Sequence, residues 1–175
     1  MNLHAEIDDL LRTTDDAFCA TLHAVLDGDR EAARTVLRGS AVRRSQVTAA
    51  QEALRARRWV PGPQLASELQ YVADVAHVGD LLDALARRAV AGRPGHLSPV
   101  QRMEVSVLLD AGSRRIRQLR ERPAGPGLDP AYRGCGCALF EVADRAVRDR
   151  SVTIVLCADL AAALLQASRH AARAA

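Results

Sequence analysis

Residues 61–91, Pro-Gly-Pro-Gln-Leu-Ala-Ser-Glu-Leu-Gln-Tyr-Val-Ala-Asp-Val-Ala-His-Val-Gly-Asp-Leu-Leu-Asp-Ala-Leu-Ala-Arg-Arg-Ala-Val-Ala, decide the fold of this chain. After the Pro61-Gly62-Pro63 break, Leu65, Leu69, Val72, Val75, Val78, Leu82 and Leu85 recur at the spacing of a helix, not of a strand. With Tyr71 the apolar arc is wider than one stripe, the pattern of a helix covered on two sides. Gly79 lies inside that arc, where the missing side chain lets a neighbouring backbone come close.

On the C-terminal side, Gly92-Arg93-Pro94-Gly95-His96 is the clearest linker and divides the chain almost in half. Ser98-Pro99 then places a capping side chain ahead of a proline at the first helical position, and a helix is expected from there to about Arg122. Pro123 to Gly127 breaks it. Asp129-Pro130 repeats the device and opens a fifth helix over about 130–149, with a sixth over about 151–173. On the N-terminal side, residues 3–26 carry Leu3, Ile7, Leu10, Leu11, Phe18, Leu22, Val25 and Leu26 on one face. Asp27-Gly28-Asp29 ends that helix and caps the next, which runs from about 30 to 58 and is weakened near its middle by Gly39. No alternating run is bounded by turn residues, so no strand is expected.

Three helices, a linker and three more helices in the same order make an all-α chain of two tandem three-helix bundles, residues 1–92 and 97–175. The chain has 175 residues, 49% of them apolar and only 3% aromatic, so leucine, valine and alanine must fill the core. All 24 basic residues are arginine, against 21 acidic residues. The surface is therefore mixed in sign, and clusters such as Arg43-Arg44, Arg55 to Arg58, Arg87-Arg88 and Arg114-Arg115 are read as solvated helix ends and outer faces. With no helix-turn-helix, zinc-finger spacing or stacking aromatic set, no nucleic-acid partner is expected. The N-terminus has no leader pattern, and no stretch reaches the roughly eighteen uncharged apolar residues of a membrane span. A cytoplasmic protein with reduced Cys19, Cys135, Cys137 and Cys157 is the expectation.

The run Val-Leu-Asp-Gly-Asp-Arg-Glu-Ala-Ala-Arg-Thr-Val-Leu at 25–37, followed by a polar helix, a proline turn and a helix bearing Glu68-Leu69 and Val-Ala-Asp-Val-Ala-His-Val-Gly-Asp, resembles a PhoU domain. The resemblance covers the whole chain in layout and is specific in residues 25–37 and 65–85. It implies a cytoplasmic, non-enzymatic negative regulator of phosphate uptake and phosphate signalling. Its partners would be the ATPase of the phosphate ABC transporter and a sensor histidine kinase, and a homodimer is possible.

The family's third helix carries Glu-Arg-Ile-Gly-Asp, whose carboxylates help hold a metal cluster. Here the matching stretch is Ala76-His77-Val78-Gly79-Asp80, and the acids expected on the second helix are absent from Gly39 to Arg43. The second repeat offers Leu165 to His170, where both acids are gone. Hard cations need several converging carboxylates, so the expectation is that the clusters are lost and no cofactor is carried. A residual metal site from Asp74, His77 and Asp80, neighbours at three-residue steps on a helix surface, is weighed against a solvated histidine beside two acids. Cys135, Cys137 and Cys157 offer a rival metal- or redox-responsive reading, set against plain core or turn cysteines. Phosphate-loop, Gly-x-Ser-x-Gly and Glu-x-x-His patterns are absent, so no enzyme chemistry is expected.

Overall fold

A computed structural model describes residues 3–57, 61–92, 97–121 and 152–174. Among them are five helices and no strand: α1 Leu3–Leu26, α2 Arg30–Arg55, α3 Gly62–Val90, α4 Pro99–Glu121 and α5 Val152–Ala174. The helix expected over 130–149, with Cys135 and Cys137, lies outside the described residues.

The boundaries follow from local chemistry. Gly28 turns the chain at φ 70°, the left-handed conformation that a residue without Cβ adopts readily. Asp29 then accepts from the N–H groups of Glu31 and Ala32, two of the four donors a helix start leaves unpaired. Pro63 falls within the first turn of α3, where its missing N–H removes no bond. At the start of α4 the Ser98 hydroxyl accepts from Gln101 N while the Gln101 side chain accepts from Ser98 N, a reciprocal capping box.

α3 is the most enclosed element. Tyr71, Val72, Val75, Val78, Leu81, Leu82, Leu85, Ala86 and Ala89 are all buried, and they project to more than one side. The helix packs against α1 and α2 on one side and against α5 on another. α1 is the second central helix, touching α2, α3 and α4. One apolar core therefore runs from Leu10 and Phe18 of α1, through α3, to Ile116 of α4 and Leu160 and Leu164 of α5.

Small residues set the spacing within this core, as the scarcity of aromatics requires. Gly112 of α4 lies under the Phe18 ring, where an added Cβ would stand 2.5 Å from Cε1. A polar seam also ties α1 to α4. Arg117 donates through Nε to Asp15 (2.8 Å), Arg120 through Nε to Asp8 (2.6 Å), and Arg102 to the carbonyl of Leu26. The hydrogen bond from Arg117 to Asp15, and the charge behind it, hold that guanidinium above its usual pKa.

The helix over Val152–Arg173 is long and apolar enough to cross a membrane, which the sequence reading had not anticipated. Half of that stretch is buried inside the fold, where the helix packs against α3 and α4.

Candidate functional site

The sequence pointed to Asp74, His77 and Asp80, and the structure sends them in different directions. Successive residues on a helix are separated by about 100°, so six positions rotate the chain far from its starting face. Asp74 is buried towards α5 and meets His170 across that interface, Nδ1 to Oδ2 at 2.6 Å. Its other oxygen accepts from Gln70 Nε2 at 3.1 Å. His77 is exposed. Asp80, also exposed, faces α1 and α2 from the wall of a cavity. The three side chains do not converge, and no group of three His, Cys, Asp or Glu among the described residues is placed to hold a metal ion.

The cavity is about 280 Å³ and lies between α1, α2 and α3. Thr14, Ser40, Arg43, Arg44, Thr48, Asp80 and Asp83 supply its polar lining. Its centre is a pair the sequence reading missed. Arg43, assigned to a solvated helix surface, is buried in the middle of α2, and Asp83 is buried opposite it on α3. Arg43 Nη2 donates both to Asp83 Oδ1 and to the carbonyl of Val36, the latter at 2.9 Å. The two side chains are only 7% and 4% exposed, so both charges have lost their water and each depends on the other.

Two glycines make room for this arginine. A Cβ on Gly39, one turn back on α2, would stand 2.8 Å from Nη1. One on Gly79, across on α3, would stand 3.6 Å from Nε and 3.7 Å from Cδ. What approaches Gly79 is therefore a side chain, not the neighbouring backbone expected from the sequence. Each glycine precedes its charged residue by four positions, Gly39 before Arg43 and Gly79 before Asp83, and that spacing puts glycine and charge on one face. This repeated pattern was the signal available in the sequence.

Beside the pair, Arg44 donates to the Ser40 hydroxyl at 2.6 Å. No side-chain hydrogen bond or ion pair joins Asp80 to another described residue. A metal cluster of the kind the family resemblance implies does not fit these residues. α2 contributes a glycine, a serine and two arginines where acids are needed, Ala76 contributes no ligand, and one oxygen of Asp83 is already engaged by Arg43. Guanidinium has only donors and cannot ligate a cation.

The described cysteines offer little to a thiolate site. Cys157 is buried in α5, and burial pushes its thiol from 9.0 up to about 12, so at neutral pH it is not the thiolate that metals and oxidants take. Cys19 is exposed on α1, with Ser113 Oγ and Arg117 Nη2 each 3.9 Å from its sulfur.

No protein-family model and no curated protein matches the chain significantly. Among solved structures, PhoU from Pseudomonas aeruginosa is similar over 97% of this chain and 90% of its own, with a TM-score of 0.62 and 17% sequence identity. At that identity the likeness speaks for the arrangement of helices and not for the residues of a site. The chain has a PhoU-like all-α fold.

Proposed function

We propose that the chain is a PhoU-like regulator that acts by docking, not by catalysis, and lowers phosphate uptake and signalling. The observation that carries this reading is the extent of the likeness, which runs over nearly the whole of both chains and is not confined to a shared helix pair. The partners would be the ATPase of the phosphate ABC transporter and a sensor histidine kinase, met on the cytoplasmic side of the membrane. Regulation needs only unequal affinity for two states of such a partner. A preference of about 1.4 kcal/mol shifts their ratio tenfold. A helical body with a continuous core among its described residues suits that role, since it offers a partner a fixed set of helix faces.

The test is direct binding of the purified chain to the purified transporter ATPase and to the purified kinase, with phosphate uptake followed in cells lacking the gene. Binding to either partner, together with raised uptake in phosphate-replete cells, is the expected outcome. Unchanged uptake with no binding to either would remove the reading.

A further inference from the structure

We infer that the Arg43 guanidinium is the resident cation of the cavity between α1, α2 and α3, and that it stands in place of a metal ion against the carboxylates of α3. The inference is independent of any docking partner, because it concerns how this bundle balances its own charge.

Size is not what keeps a metal out, since about 280 Å³ has room for an ion with part of its hydration shell. Position is not the obstacle on α3 either: Asp80 and Asp83, three residues apart, both line the cavity, as two ligands of one ion on a helix would. The obstacle is charge. Arg43 and Arg44 line the same space, so two positive and two negative side chains cancel, and a divalent cation would enter with nothing left to neutralise it.

Arg43 is also fixed in place. Its Nη2 is shared between Asp83 and the Val36 carbonyl, and the space it fills exists because Gly39 and Gly79 lack side chains. A metal site can be emptied by a chelator or altered by oxidation. An arginine cannot.

The experiment uses the full chain, as wild type and as Arg43→Asp, with Mn²⁺ alone as the probe. Elemental analysis gives metal content, and thermal unfolding is followed in EDTA and in excess Mn²⁺. The wild type should carry no stoichiometric metal, and its Tm should move by less than about 1 °C between the two conditions. Arg43→Asp removes the cation and adds a third carboxylate, so it should gain Mn²⁺ and show a Tm rise of roughly 5 °C or more at saturating metal. Two results would overturn the inference. One is stoichiometric metal in the wild type that disappears in Asp80→Asn or Asp83→Asn. The other is a folded Arg43→Asp protein that takes up no Mn²⁺. Should Arg43→Asp not fold, the wild type decides alone: a Tm raised by Mn²⁺ and reversed by EDTA refutes the proposal, and an unmoved Tm supports it.

Discussion

At the scale of single residues, the Arg43–Asp83 pair sets the sharpest expectations. Arg43→Met would leave a buried carboxylate without its partner and should destabilise the fold by about 3–5 kcal/mol in urea unfolding, whereas Arg43→Met with Asp83→Leu should recover most of that loss. A double variant as unstable as the single one would show that the pair does not act as a unit. The two glycines should part company in the same assay. Gly39→Ala presses a methyl group into a guanidinium that is itself held on two sides, so it should destabilise despite the better helix propensity of alanine. Gly79→Ala makes only ordinary contacts and should be neutral or gain up to about 1 kcal/mol. This pair was the part of the site least legible in the sequence. An arginine next to another arginine reads as surface, and the partner forty positions away shares no local pattern with it. Only the matched four-residue spacing behind each charge hinted that the two belonged together.

At the scale of elements, the sequence was far more legible. Apolar periodicity, the Asp29 cap, the Gly28 turn and Ser98-Pro99 located all five described helices to within a few residues, because each signal rests on interactions within a few turns. The facing of α3 was readable too, since a wide apolar arc admits only burial on several sides. Which acid of that helix turned inward was not, and Asp74 was placed on a surface cluster although it is buried against α5. That contact depends on His170, ninety-six positions away. His170→Phe keeps the bulk at the interface but removes the ring nitrogen, leaving Asp74 only Gln70. It should cost about 1–3 kcal/mol, and a second change of Asp74→Leu should restore much of it. The α1–α4–α5 junction makes a packing prediction of the opposite kind. Gly112→Ala forces the Phe18 ring aside, with Leu164 Cδ1 only 3.2 Å from the new Cβ, and should cost about 1–3 kcal/mol by overpacking. Phe18→Leu in the same chain should relieve it, as judged by Tm.

At the scale of the whole molecule, stability should fall in alkali for a reason that lies in the core. Cys157 is pushed up to about 12 and Tyr71 is raised above its usual 10.0, in both cases mainly by burial. The unfolded chain loses these protons first, so it binds fewer of them than the folded chain once the pH passes about 9 for the thiol and about 10 for the phenol. The slope is then negative, by up to about 1.4 kcal/mol per pH unit for each group, and Cys157→Ala with Tyr71→Phe should flatten it in unfolding measured across that range. The same core has a consequence in time. The apolar band of α3 is complete once residue 90 has been made, yet one of the helices that covers it is α5, made after the other four described helices. Throughout the synthesis of the second half, that band stands open on a nascent chain. A ribosome-bound chain stopped at residue 121 should therefore be held by a co-translational chaperone and readily cut by protease within α3, and chaperone release and protease resistance should both await the arrival of α5.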